Sequence, residues 1–318
     1  MNIVVFGLGA LGVAFATFLK EDGHKVYGIT KEKYLPYLKD KILKVEGIWG
    51  EHEAKLDGIY SSVDDIKENI DLILLTVKSY DTEKAVKEIK KIVSENTYVL
   101  VAQNGYGNYE IVSKEIGKEH TLLARVIFGS KVIKPGHVKI TVNADDVRIG
   151  DPSRTIPEEE IIKIACAIKH AGIPASYDKN VYKTLWDKIL YNSALNPLGA
   201  LLECSYGTLA ENKETKQVMD NIIEEIFTVA KAHNIELNWN SPEEYKKHFY
   251  ENLIPPTKDH FPSMYYDIKE GKKTEIDALN GAIVKLAKEK GIKVPVNETV
   301  VNLLKTKEKL SLMNKTVS

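Results

Sequence analysis

The sequence predicts an α/β chain in two parts, a doubly wound and largely parallel sheet covered by helices, followed by an all-helical unit. Three observations carry that prediction. Strand-like and helix-like runs alternate through the first half, and a glycine-rich turn joins the first strand to the first helix. From about Asn180 the strand-like runs stop while long helical periodicities continue.

The apolar run Ile3, Val4, Val5 and Phe6 reads as a buried strand over 3–6, and the stretch over 10–21 as the helix after it. A strand over 25–28, a helix over 31–39 and a strand over 72–76 repeat the alternation. A helix over 83–93, a strand over 98–102 and β-rich segments over 122–128, 137–142 and 147–149 extend it. The amphipathic stretch 157–171 and a short strand over 175–177 complete a first domain, placed at 1–179. Helical periodicities over 186–201, 215–233, 243–252 and 276–290 define a second, 180–318. Its lysine-rich end, 305–318, reads as a solvated or frayed terminus.

Composition narrows the classes. At 318 residues and 43% hydrophobic, the chain is longer than a single core usually serves. With 44 basic and 45 acidic residues the net charge is -1, which creates no field to gather nucleic acid or an anionic membrane, so neither is an expected partner. No run approaches the roughly 20 apolar residues of a membrane span, and the first residues lack the basic lead-in of a secretory signal. A cytoplasmic location, as monomer or homodimer, is expected. Cys166 and Cys204 have no C-x-x-C partner, and the eight histidines form no H-x-x-x-H pair, so no metal site is predicted.

The turn Gly7-Leu8-Gly9-Ala10-Leu11-Gly12 sits where a dinucleotide-binding loop belongs, after a strand and before a helix. Gly7 suits the tight turn, Gly9 lets backbone approach a pyrophosphate, and Gly12 lets helix and strand pack closely. The phosphates would sit on unpaired N–H groups at the positive end of the helix. This makes the first domain Rossmann-type. In NAD-binding proteins an acidic residue at the end of the second strand usually holds the ribose 2′-hydroxyl. Here that strand runs into Thr30 and Lys31, a hydroxyl and a cation suited to a 2′-phosphate, so NADP is the expected cofactor; Glu32, presented to a ribose by a shifted loop, is the alternative.

The chemistry is predicted further along. On a helix, Lys188, Asn192 and Asn196 recur every four residues and form one narrow polar row amid Trp186, Ile189, Leu190, Ala194 and Leu195. Asparagine is a poor helix former that an ordinary exposed face does not need. Hydride reduction of a ketone builds charge on its oxygen, and a fixed ammonium both stabilises that charge and delivers the proton. Lys188 suits that role, while Asn192 and Asn196 suit a polar substrate's hydroxyl and carboxylate. A second group, Ser263 with Thr274, Glu275 and Asp277, reads more readily as local structure than as a ligand site from spacing alone: Pro262 suits a first helical position, and Thr274 and Asp277 match the N-cap and N3 of a capping-box-like helix start.

Taken with Thr76-Val77-Lys78, Gln103-Asn104-Gly105-Tyr106-Gly107, Asn196-Pro197-Leu198 and Pro262-Ser263-Met264, these motifs resemble the ketopantoate reductase family over nearly the whole chain. The resemblance implies NADPH-dependent reduction of 2-dehydropantoate to pantoate, on the route to pantothenate and coenzyme A, in a cleft between a Rossmann domain and a helical domain. It implies Lys188 as general acid and Glu275 as the active-site glutamate near the nicotinamide ribose. Asn192 and Asn196 become substrate amides, Ser263 a carboxylate ligand, and Asn104 a contact to both cofactor and substrate. Lys78 and Lys31 become cofactor contacts alongside Gly7, Leu8, Gly9, Ala10, Leu11 and Gly12. Two positions depart from the pattern: Tyr206 stands where a further substrate asparagine is found, and His260 where some members have asparagine. These departures leave open a paralogue acting on a different small-molecule 2-oxo acid. A non-catalytic NADP-sensing regulator is the reading from another class.

Overall fold

A computed structural model describes residues 1–317, with side chains through Met313. The chain divides into two compact units, Met1–Tyr182 and Lys183–Ser318.

The first unit has twelve strands: β1 (Asn2–Phe6), β2 (Lys25–Ile29), β3 (Ile42–Gly47), β4 (His52–Lys55), β5 (Gly58–Tyr60), β6 (Leu72–Leu75), β7 (Tyr98–Val101), β8 (Thr121–Arg125), β9 (Phe128–Lys134), β10 (His137–Asn143), β11 (Val147–Gly150) and β12 (Ala175–Tyr177). Its helices are α1 (Ala10–Glu21), α2 (Thr82–Ile89), α3 (Asn108–Ile116) and α4 (Glu158–His170). Eight strands make the main sheet in the order β12-β11-β8-β7-β6-β1-β2-β5, parallel except where β11 meets β8. Strand β1 pairs with β2 on one side and β6 on the other, so the order reverses there. In open α/β sheets ligands bind in the crevice beyond the strands' carboxyl ends at such a switch point.

Strand alternation builds the layers. Ile3, Val5, Leu72, Leu74, Leu100 and Leu122 join Phe15, Phe18, Ile161 and Ile168 in one core, while the alternate residues Val4, Ile73, Val99 and Val101 are buried on the other face. A second, four-stranded sheet, β4-β3-β10-β9, packs against α1 from outside. The helix is therefore buried continuously from Gly12 to Leu19. Phe15 meets Phe128 at 5.8 Å between ring centroids, and Phe18 meets Trp49 at 5.7 Å. Burial of each such side chain contributes roughly 1.5–3 kcal/mol, which fixes the helix whose first turn the site uses.

The differences from expectation have local causes. The expected helix over 31–39 is a 3-10 turn, Glu32–Tyr37, because Pro36 inside it offers no N–H. The segment 122–128 is two strands in two sheets, β8 and β9. Strands β3, β4 and β5 and helix α3 escaped prediction, the first two because only alternate residues of these polar strands are buried and β5 because it is only three residues long.

The second unit comprises most of α5 (Val181–Leu202), then α6 (Tyr206–Glu211), α7 (Lys213–Ala232), α8 (Pro242–His248), α9 (Ser263–Lys269), α10 (Asn280–Glu289) and α11 (Pro295–Val317). The run expected over 243–252 leaves the α-helix after His248 in a π turn, Phe249–Leu253. The helix expected over 276–290 begins as a 3-10 turn, Ile276–Ala278, and becomes α-helical only at Asn280. The end expected to fray is helical through Val317, with Leu304 and Glu308 buried; Ser318, and the side chains from 314 onward, lie outside the described residues. Among the described residues no helix is long and apolar enough to cross a membrane.

Candidate active site

The glycine turn follows β1 at the switch point. Gly7 has φ +114°, in the region that favours glycine, and its N–H donates to the Ile29 carbonyl at 2.9 Å. Its own carbonyl accepts from Thr76 Oγ1 at 2.7 Å, which ties the turn to the segment after β6. A side chain at Gly12 would place Cβ 1.9 Å from the Gly7 carbonyl oxygen, so helix and turn touch there. Around Gly9 the situation is opposite: a Cβ would meet nothing within 4 Å, and the residue is exposed. Helix α1 has no side-chain cap and no acidic residue in its first turn, so its leading amides keep their positive field. An open glycine beside uncapped amides fits a pyrophosphate. Leu8, half-buried, packs its side chain over Gly28, where a Cβ would come within 2.7 Å of it.

At the end of β2, Thr30 is buried and its N–H donates to the Tyr60 carbonyl at 2.9 Å. Lys31 follows, with Nζ 2.8 Å from Asp81 Oδ2; that hydrogen bond raises its pKa. Lys78 is half-buried and directly precedes the 3-10 turn Ser79–Asp81.

Asn104 lies in the loop after β7, and a buried polar chain fixes its backbone. Gln103 Nε2 donates to the Val77 carbonyl and to Thr82 Oγ1, both at 2.8 Å. Thr82 Oγ1 donates to Asn108 Oδ1 at 2.8 Å, and Asn108 Nδ2 donates to the Asn104 carbonyl at 2.9 Å. Buried donors without acceptors are costly, so this chain specifies one loop conformation. Gly105 and Gly107 have φ +85° and +99°. At the head of α3, Glu110 accepts from the Gly107 N–H at 3.0 Å and from the Tyr182 hydroxyl at 2.7 Å, and burial pushes its carboxyl up from the usual range.

In the second unit, Lys188, Asn192 and Asn196 lie on α5, the first two half-buried and Asn196 buried. The helix runs through Pro197, which has no N–H for the Ser193 carbonyl four residues earlier. Asn280 supplies the missing donor: its Nδ2, fully buried, bonds the Ser193 oxygen at 3.0 Å and Asn297 Oδ1 at 2.9 Å. Asn297 is held in turn by Glu225, which accepts from the Val296 and Asn297 amides and from Asn297 Nδ2 at the start of α11. The Asn-Pro step is therefore built into the core, and the polar row is set by it.

Glu275 is buried. The residue before it is anchored to α11, because Glu308 accepts from both the N–H and the hydroxyl of Thr274. The Thr274 oxygen does accept from the Ile276 N–H at 3.3 Å, as a cap would, but its own N–H goes to Glu308 and not to Asp277, so the reciprocal half of a capping box is missing and the turn it starts is 3-10. Ser263 is exposed and is the first residue of α9, with Pro262 at the N-cap. Tyr206 is buried, and its hydroxyl donates to Asn196 Oδ1 at 2.7 Å. The His260 carbonyl accepts from the Tyr206 N–H, and burial pushes the His260 imidazole pKa down. The second unit thus gathers Asn196, Tyr206 and His260 into one cluster. Sequence reasoning missed Thr76, Thr82, Asn108 and Asn280 as supports. Pro197 four residues after Ser193 was the available signal for the last.

Comparison with known proteins matches two family models. The model described as ketopantoate reductase PanE/ApbA covers residues 3–154, and its C-terminal counterpart covers 180–308. A 2-dehydropantoate 2-reductase of Aquifex aeolicus is 49% identical over 312 residues, 98% of each chain, and one of Pyrococcus abyssi is 32% identical over 98% of this chain and 99% of that one. Among solved structures, a PanE/ApbA family ketopantoate reductase from Ralstonia eutropha has a TM-score of 0.86 at 27% identity, covering 98% of this chain and 99% of that one. A D-mandelate dehydrogenase with NADH and anilino(oxo)acetate has a TM-score of 0.87, with the same identity and coverage.

Proposed function

The chain belongs to the ketopantoate reductase family, and from that membership we propose that it reduces 2-dehydropantoate to (R)-pantoate with NADPH, a step toward pantothenate and coenzyme A. The observation that carries this reading is the row Lys188, Asn192 and Asn196, set along a helix whose proline step is supported from the core. Such a row has one cation for a developing oxyanion and two amides for the rest of a small polar acid.

In this reading Gly7, Leu8, Gly9, Ala10, Leu11 and Gly12 hold the pyrophosphate, Lys78 and Asn104 contact the cofactor, and Lys31 faces the 2′-phosphate. The absence of a carboxylate between Ile29 and Lys31 supports NADPH. When bound, the dihydronicotinamide supplies the hydride. Lys188 holds the proton that the ketone oxygen takes as charge builds on it. Glu275 lies beside that lysine and the ribose. Ser263 binds the carboxylate, and Asn192 and Asn196 bind the hydroxyl, turning binding energy into orientation.

A second reading is a reductase of another 2-oxo acid, favoured by Tyr206 in place of a substrate amide and by the likeness to D-mandelate dehydrogenase. Steady-state kinetics on a panel of 2-oxo acids, each with NADPH and NADH, separate the two. The proposal expects the highest kcat/KM for 2-dehydropantoate with NADPH. A panel member exceeding it, a phenyl-bearing acid for instance, favours the second reading.

A further inference from the structure

The buried cluster around Tyr206 says how Asn196 is used. Tyr206 is 4% exposed and Asn196 7%, and the phenol oxygen lies 2.7 Å from Asn196 Oδ1. A buried O–H needs an acceptor, and the neighbouring groups are committed elsewhere. The Tyr191 ring stands edge-on at 5.8 Å with its own hydroxyl bonded to Thr257 Oγ1 at 2.7 Å, and the His260 carbonyl is taken by the Tyr206 N–H. The phenol must therefore donate to the Asn196 carbonyl. Burial also pushes the Tyr206 pKa well above its ordinary value, so the proton stays on the phenol. With Oδ1 engaged, the amide cannot flip without stranding the O–H, and the group that Asn196 can offer to a ligand is Nδ2.

We infer that Tyr206 is a positioning residue that fixes Asn196 as a hydrogen-bond donor, so that the site selects 2-oxo acids carrying an acceptor oxygen where Asn196 Nδ2 points. This rests on the proposed reductase reading. There the ketone oxygen belongs to Lys188 and the carboxylate to Ser263. The remaining oxygen of 2-dehydropantoate is its 4-hydroxyl, which must then accept from Asn196. The tyrosine at this position does not replace a substrate contact with another substrate contact. It stands behind the first amide and sets its polarity.

The test compares two substrates that differ only in that oxygen, 2-dehydropantoate and 3,3-dimethyl-2-oxobutanoate, in the wild type, Tyr206→Phe, Asn196→Ala and the double variant. Tyr206→Phe keeps the ring and deletes the donor. The expected result is a fall of about tenfold or more in the kcat/KM ratio of the hydroxylated to the deoxy acid, with no further fall when Tyr206→Phe is added to Asn196→Ala. A change that is equal on both acids, or additive in the double variant, overturns the inference, because loosened packing would act without regard to the hydroxyl. If Tyr206→Phe does not fold, Asn196→Asp, which keeps the acceptor for the Tyr206 hydroxyl and removes Nδ2, decides: a preference for the hydroxylated acid that survives overturns the inference, and its loss supports it. Failure of the parent reading looks different, since the wild type would then favour some other 2-oxo acid or reduce none.

Discussion

Gly9 and Gly12 are three residues apart and have opposite jobs, which makes them a sharp pair. Gly12 has no room for a methyl group against the Gly7 carbonyl, whereas Gly9 has open space. Gly12→Ala is expected to destabilise the first unit by about 1–3 kcal/mol through overpacking, seen as a lowered Tm without ligand. Gly9→Ala, at φ -89°, strains nothing. Its Tm should match the wild type while NADPH affinity, measured by titration, drops at least tenfold. Equal affinity in Gly9→Ala would remove the pyrophosphate from this turn. Glu110 offers a pH-dependent prediction. Burial raises its folded-state pKa above the unfolded value of 4.5, so its contribution to stability is present below that value and lost as pH rises through the folded pKa. Glu110→Gln keeps an acceptor oxygen for the Gly107 N–H and turns an amide donor toward the Tyr182 hydroxyl, which can accept it, without the charge. It should therefore gain stability relative to the wild type on going from pH 4 to pH 8, as read by denaturant midpoints, and an advantage that shrinks over that range would contradict the sign.

Helix α5 carries a row that its own sequence marks and a support that it does not. Its polar row was legible in the sequence because four-residue spacing puts Lys188, Asn192 and Asn196 on one line. The support for that row was not, because Asn280 is distant in sequence from the Ser193 carbonyl it satisfies. Asn280→Ala leaves that carbonyl and Asn297 Oδ1 short of a buried donor and is expected to cost about 1–3 kcal/mol, measurable by urea unfolding. A cost near zero would mean that the Pro197 step needs no such support. The same contrast runs through the first unit. Apart from the three-residue edge strand β5, the strands of the main sheet are marked in the sequence, most plainly by apolar runs such as Leu72 to Leu75, and the glycine turn marks its own place. The second sheet hides, since β3 buries Leu43 and Val45 between exposed residues and pairs with β10 far along the chain. Short polar strands with distant partners carry little local signal. Tyr206 likewise was visible as a departure, but only packing shows it turned onto Asn196.

Across the whole chain, the two units divide the work proposed here. The first has the turn that fits a dinucleotide, and the second has the row that fits a 2-oxo acid. Substitutions should therefore sort by unit: those in the turn change cofactor affinity, and those in the row change turnover or substrate affinity while the cofactor still binds. The net charge of -1 adds no long-range steering for an anionic substrate, so affinity must come from these local groups. The role proposed for Lys188 is to supply the proton to a ketone reduced at NADPH. Its most direct test is turnover of 2-dehydropantoate by Lys188→Ala beside NADPH affinity of the same variant measured by fluorescence titration. The expected result is a loss in kcat of at least a hundredfold with cofactor affinity within a few-fold of the wild type. Turnover that survives the substitution would contradict it and leave the chain a binder of NADPH whose chemistry lies elsewhere.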